Sequence, residues 1–200
     1  MATDIAIVDS GGANIASLLY AFERLGKQVT LTHDSRTIEA AKYVVLPGVG
    51  AARDAMQRLK EFDLVNVIRS LTQPVLGICL GMQLLAEASE EDDVECLGIV
   101  PGVATRLPVD SGNPVPNMGW CELMQGEKHS LFEGIQDREY FYFLHSFVLP
   151  VSNVTLASAS HATPFSAAIR KDNFLAVQFH PERSSQAGAR LLANFLEVDI

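Results

Sequence analysis

Short, nearly uninterrupted apolar runs alternate with helical periodicities through the first half of the chain. This alternation narrows the fold more than any other feature. Asp4–Asp9 (DIAIVD) predicts a strand, followed by the breakers Ser10, Gly11 and Gly12. In Asn14–Gly26, Ile15, Leu18, Leu19, Phe22 and Leu25 recur at three- and four-residue steps, which predicts a helix stopped by Gly26. Gln28–Thr32 and Tyr43–Leu46 are further strands, and Arg53–Ser70 is helical, in one piece or two. Pro74–Cys79 (PVLGIC) is apolar enough for a strand covered on both faces, and Gly81–Ser89 reads as the helix after it. Such a pattern predicts an α/β chain with an open, mainly parallel sheet and helices on both faces.

The second half changes rhythm. Val115–Trp120, Tyr140–Leu149, Val154–Ser160, Ser166–Arg170 and Leu175–Phe179 are closely spaced strand-like runs that predict antiparallel additions. Gln186–Leu196 reads as a closing helix. No repeat, low-complexity tract or linker interrupts the pattern, so residues 1–200 are expected to form one domain around a real core.

Charge and cysteine content exclude several function classes. With 15 Lys+Arg against 24 Asp+Glu, the net charge of −9 repels phosphate backbones and anionic lipid, so neither nucleic acid nor a membrane is the expected partner. No apolar run reaches the roughly 18–20 residues of a spanning helix. Met1–Asp9 carries two aspartates and no basic residue, which argues against a signal peptide. Cys79, Cys96 and Cys121 are odd in number and far apart, fitting neither a disulfide framework nor a zinc site. A cytoplasmic protein without a metal is expected. Glu87–Glu95 (EASEEDDVE) reads as a solvated acidic loop.

The segment richest in chemistry is Gly77-Ile78-Cys79-Leu80-Gly81, where a buried strand turns abruptly into a helix. Glycines two before and two after Cys79 remove side chains that would clash in a strained strand-to-helix turn, the physics of a nucleophile elbow. A thiol there points out of the carboxyl edge of the sheet, where open α/β sheets bind ligands. The following helix N-terminus favours a thiolate, and the Leu80 N–H can stabilise an oxyanion. The alternative is that Cys79 is only a small buried hydrophobe. Cys96 and Cys121 have no glycine frame or basic partner and read as structural.

A thiol nucleophile needs a base. Of the five histidines, only His180 directly ends an apolar strand, with Pro181 blocking continuation and Glu182 two residues on. In extended chain, residues two apart project to one side, so Glu182 can hold the His180 ring and stabilise its imidazolium. Leu46-Pro47-Gly48-Val49-Gly50 follows a strand, and glycines on either side of Val49 allow that peptide to flip its N–H toward an oxyanion. The loop lacks the longer dinucleotide pattern, so no nucleotide cofactor is expected.

With these motifs in place, the chain resembles the class I (triad-type) glutamine amidotransferases: G-I-C-L-G-M-Q at the elbow, H-P-E at His180–Glu182, in matching order and spacing. More narrowly, it resembles the glutaminase subunits of imidazole glycerol phosphate synthase. The residues that narrow it are D-S-G-G-A-N near the N-terminus, L-P-G-V-G-A, P-N-M-G-W at Pro116–Trp120 and F-L-H-S-F at Phe143–Phe147. The resemblance implies hydrolysis of glutamine to glutamate by Cys79, His180 and Glu182. The ammonia would pass to a separate (β/α)8-barrel cyclase subunit that makes imidazole glycerol phosphate and an aminoimidazole carboxamide ribotide in histidine biosynthesis. It further implies that Gln83 and the chain near Gly48, Gly50, His145, Ser146 and Phe147 hold the glutamine. Asn14, Asn117, Met118, Trp120 and Arg183 are implied at or near the partner face.

Trp120 as a core aromatic and His145 as a strand-end histidine satisfied by backbone remain the bland alternatives. The chain departs from the family pattern with Ala13 before Asn14, Asn117 in place of a frequent histidine, and Cys121 in place of asparagine. It also has Phe147 for a frequent tyrosine and Arg183 for lysine. Two other functions stay open: a glutaminase serving a different synthase, and a non-catalytic glutamine-sensing subunit.

Overall fold

The computed structural model describes residues 3–11, 15–48, 50–109 and 112–198. Its centre is an eight-stranded sheet. The strands of the first half are β1 (Ile5–Val8), β2 (Val29–Thr32), β3 (Tyr43–Leu46) and β4 (Val75–Ile78), joined by helices. These are α1 (Ile15–Arg24), α2 (Ser35–Ala40), α3 (Ala52–Glu61) and α4 (Leu64–Ser70), with α5 (Leu80–Leu84) after β4. Three short strands come next, β5 (Ala88–Ser89), β6 (Val94–Glu95) and β7 (Val103–Arg106), and then β8 (Asn117–Glu122) and β9 (Met124–Gln125). The second half continues with β10 (Tyr140–His145), β11 (Phe147–Val148), β12 (Thr155–His161), β13 (Thr163–Lys171) and β14 (Phe174–Val177). Helix α6 (Ser185–Phe195) closes the described chain.

In the sheet the order is β2-β1-β3-β4-β14-β13-β12-β9. The first five strands are parallel, and β13, β12 and β9 add antiparallel pairing at one side. This is the α/β arrangement predicted from the alternation of runs. Successive residues of each parallel strand face opposite layers. Ile5, Ile7, Val45 and Ile78 pack with Phe22 of α1 and Phe195 of α6. Ala6, Val8, Val44 and Leu46 pack with Ile38 of α2, Met56 of α3 and Ile68 of α4. Burial on both faces explains why these runs carry almost no polar residue.

The pairing that matters for chemistry joins distant parts of the chain. Strand β14 lies beside β4 in parallel, Val177 opposite Ile78, and the Cys79 N–H donates to the Val177 carbonyl at 2.8 Å. Both strands therefore end together, and the turns leaving them share one edge.

Arg53–Ser70 takes the two-piece form the sequence allowed, broken at Asp63 in a left-handed conformation (φ 55°). Other boundaries differ from the sequence reading, each for a tertiary reason. The expected helix Gly81–Ser89 ends at Leu84, because Glu87 and Glu90 instead donate backbone N–H groups to Gly102 and Ala104 beside β7. The run Tyr140–Leu149 breaks at Ser146, where the chain leaves β8 and pairs with β7. The acidic run is no free solvated loop either. Glu87, Glu90 and Glu91 accept the backbone N–H groups of Gly102, Arg106 and Ala52. No described helix is long and apolar enough to cross a membrane.

Candidate active site

Cys79 sits between β4 and α5 at φ 54°, ψ −109°, a conformation that costs a non-glycine residue on the order of 1–3 kcal/mol. The neighbouring backbone leaves it no alternative. A Cβ on Gly81 would lie 1.8 Å from the Leu46 carbonyl oxygen, and one on Gly77 would meet Ala176 at 3.0 Å. The elbow is pressed against the ends of β3 and β14, and only glycine permits that approach. The Leu80 N–H, first in α5, has no partner among the described residues and faces the same edge.

From the adjoining strand comes His180, whose N–H donates to the Tyr142 carbonyl at 2.9 Å. Ser184 clamps the turn: its hydroxyl donates to the His180 carbonyl at 2.7 Å and accepts the Tyr142 N–H at 3.0 Å. Gly188 lets α6 seat against this turn, since a Cβ there would come within 1.9 Å of the Pro181 carbonyl oxygen. The side chains of His180 and Glu182 are both almost fully buried, and His180 Nδ1 meets Glu182 Oε1 at 2.9 Å. Glu182 Oε2 has no hydrogen-bond partner among the described residues.

Burial by itself pulls the His180 imidazole down. Hydrogen bonds to Cys79 and Glu182, together with the charges on both, outweigh burial and raise it to about 10. His180 is thus held as an imidazolium between a sulfur and a carboxylate. The Cys79 thiol points toward the Leu144 carbonyl at 3.6 Å and receives the Gln178 side-chain N–H at 3.8 Å.

Cys79, His180, Gln83, His145, Ser146, Phe147 and Gly50 line one cavity of 240 Å³, the space of on the order of eight water molecules. Leu80, Leu144, Glu91 and Pro116 complete its lining; Pro116 opens the P-N-M-G-W segment, whereas Glu91 stood out in the sequence only as part of the acidic run. The Glu91 carboxylate also supplies the N-terminal acceptor for α3, which Ala51 lacks. Gly48 stands at the end of β3 against the elbow, 2.8 Å being left between its notional Cβ and that of Leu80. Val49 and Asn14 lie outside the described residues.

His145 is buried and doubly satisfied: Nδ1 bonds the Phe147 carbonyl and Nε2 bonds Asn117 Nδ2, both at 3.1 Å. Burial, opposed by that carbonyl, holds its imidazole down at about 4. Asn117, expected at the partner face, instead points inward and is buried. Trp120 and Met118 do face outward, 52% and 68% exposed, so Trp120 is not a core aromatic. Arg183 lies over the Tyr142 ring at 5.1 Å, and Trp120 meets the same ring edge-on at 6.1 Å. Cys96 and Cys121 are free thiols whose titration burial pushes upward, to about 11 for Cys96, the opposite of what activation requires. Among the described residues no three or more His, Cys, Asp or Glu side chains converge as a metal site requires.

The model of the glutamine amidotransferase class-I family matches residues 6–198. The chain belongs to the class I glutamine amidotransferases. Curated relatives in this family include imidazole glycerol phosphate synthase subunit HisH 2 of Legionella pneumophila (strain Philadelphia 1), 48% identical over 98% of both chains. The HisH subunit of Vibrio cholerae is 48% identical over 99% of this chain and 100% of its own. Among solved structures, a glutamine amidotransferase superimposes with a TM-score of 0.75 over 97% of both chains, at 19% identity. A putative GMP synthase subunit from Thermoplasma acidophilum superimposes with a TM-score of 0.74 over 98% of this chain and 94% of its own, at 21% identity. The class I amidotransferase fold thus holds where little sequence is shared.

Proposed function

We propose that this chain is the glutaminase subunit of imidazole glycerol phosphate synthase, acting in the cytoplasm as one 200-residue unit. The observation that carries the chemistry is the meeting of Cys79 with the His180–Glu182 pair at the shared edge of β4 and β14. The near-full-length identity to HisH subunits supports the choice of synthase.

In this reading the Cys79 thiolate attacks the side-chain carbonyl carbon of glutamine, and the developing oxyanion takes the Leu80 N–H as one donor. The second donor is assigned to Val49. The His180 imidazolium gives its proton to the departing nitrogen, releasing ammonia and leaving a γ-glutamyl thioester on Cys79. His180, now neutral, takes a proton from water as it attacks the thioester; glutamate leaves and the thiolate–imidazolium pair is restored. Glu182 holds the ring and stabilises its charged form. The cavity wall of Gln83, His145, Ser146, Phe147 and Gly50 is assigned to hold the substrate, with Gly48 packed against Leu80 beside it.

Ammonia in neutral water is quickly protonated and loses its nucleophilicity, so release toward an acceptor must be shielded. The exposed face of Met118, Trp120 and Arg183 is assigned to a (β/α)8-barrel cyclase partner that receives it, with Asn14 beside it. The test is Cys79→Ala in the two-subunit complex. Glutamine-dependent synthesis should vanish while synthesis from added ammonia survives, because the cyclase site is untouched. Retained glutamine hydrolysis would overturn the assignment.

A further inference from the structure

Against Cys79 lies Gln178, wholly buried at the edge where β14 ends. Its side-chain N–H reaches the Cys79 sulfur at 3.8 Å, and its carbonyl oxygen accepts from Gln83 Nε2 at 3.1 Å. Gln83 Nε2 also donates to the Phe147 backbone carbonyl at 2.9 Å. A side-chain amide can be turned end for end, so each of these contacts alone leaves the donor undecided. The series decides it.

A backbone carbonyl can only accept, so the group facing Phe147 must be the amide nitrogen of Gln83. The second hydrogen on that nitrogen then points at Gln178, which must present its oxygen. The Gln178 nitrogen is left facing sulfur, and a hydrogen-bond donor is fixed against the nucleophile. The same carbonyl orders the other side of the cavity: it accepts from His145 Nδ1, so His145 Nε2 accepts from Asn117, whose oxygen accepts from the Cys121 thiol at 3.6 Å.

We infer that Gln178 is a further functional residue of this site, whose oriented N–H stabilises the Cys79 sulfur as an anion, both before attack and when the thioester breaks. This rests on the reading of Cys79 as the nucleophile. A hydrogen bond to a charged sulfur favours the anionic form, whereas an apolar residue of the same size gives it nothing. The ionisable groups facing that sulfur or its cavity are His180 with Glu182 behind it, His145 and Glu91. Gln178 is an uncharged donor to that sulfur, and Gln178→Met leaves all four ionisable groups in place, so its effect is separable from theirs.

The experiment is the pH–rate profile of iodoacetamide alkylation of the full chain, followed at the Cys79 peptide by mass spectrometry, in wild type and Gln178→Met. On the rising limb the variant should react about tenfold more slowly. On the high-pH plateau it should match or slightly exceed wild type, since a less stabilised thiolate is the better nucleophile. Glutamine turnover should fall by a similar factor with little change in KM. A purely structural role would instead lower the plateau and leave the limb in place, and that result overturns the inference. Gln83→Met, which frees the Gln178 amide to rotate, should shift the limb the same way by less; this arm decides if Gln178→Met does not fold. An unmoved limb alongside loss of hydrolysis in Cys79→Ala refutes the role of Gln178 alone, whereas hydrolysis by Cys79→Ala refutes the nucleophile itself.

Discussion

The cavity wall around Cys79 and the outer face of β8 and β10 are neighbours joined through Tyr142, yet they are built by opposite rules. In the wall, polar side chains are buried and nearly every one has an assigned partner: His180 with Glu182, Gln178 with Gln83, His145 with Asn117. On the face, large apolar side chains stand about half or more in water, held by an edge contact between Trp120 and Tyr142 and a hydrogen bond from the Tyr140 hydroxyl to Glu122. Buried polar groups are tolerated only when satisfied, and apart from Glu182 Oε2 the described wall meets that rule. An exposed cluster of Met118, Trp120 and Tyr140 carries the opposite implication, a surface finished by something else. Within one chain, then, the proposed catalytic wall is satisfied from within, whereas the proposed partner face is left open.

If the wall is the self-sufficient half, damage to it must appear in the isolated chain. The largest effect is expected from His180→Asn, which removes the proton carrier and should lower glutamine hydrolysis by roughly 1,000-fold or more in steady-state assays. A smaller loss measured for this variant than for Glu182→Gln would mean that the two roles are reversed.

The next effect concerns stability rather than rate. His145 is held neutral down to about 4 in the folded chain against an ordinary 6.5, so its contribution is present above pH 6.5 and is lost as pH falls from 6.5 toward 4. His180, raised to about 10, works in the other direction, losing its contribution as pH rises from 6.5 toward 10. Urea unfolding at pH 7.5 and 4.5 should show His145→Gln recovering up to about 3 kcal/mol of the acid loss relative to wild type. Identical acid limbs would mean that His145 is charged in the fold.

Glu182→Gln should follow with roughly a 100-fold loss of turnover, since the amide still positions the ring but no longer stabilises its charge. On the outer face the ranking changes character. Trp120→Ala should weaken partner binding by about 2 kcal/mol in titration calorimetry while free-chain hydrolysis hardly moves. Arg183→Ala, which loses one partly exposed cation–π contact, should cost about 0.5–1 kcal/mol of the same affinity. If either face variant cripples hydrolysis by the isolated chain, the division into two regions fails.

Sequence made the two regions unequally legible, for physical reasons. The elbow could be read because steric demand selects residue types: nothing larger than glycine fits at Gly81 beside the Leu46 carbonyl. The parallel strands could be read because burial on two faces excludes polar residues. Gln178 could not, because an amide inside an apolar strand gives no pattern until β14 is placed beside β4. Glu91 was hidden by its acidic neighbours, and Asn117 was turned inward by a partner, His145, that pairs with it only across β8 and β10. The β10–β11 break at Ser146 likewise depends on β7, which no local periodicity announces.

The most direct measurement of the central claim is covalent trapping with a glutamine-analogue diazoketone, followed by peptide mapping. The account predicts one adduct, on Cys79, formed by the native chain, blocked by glutamine and slowed strongly in His180→Asn. An adduct on Cys96 or Cys121, or continued hydrolysis of glutamine after complete modification of Cys79, would contradict it.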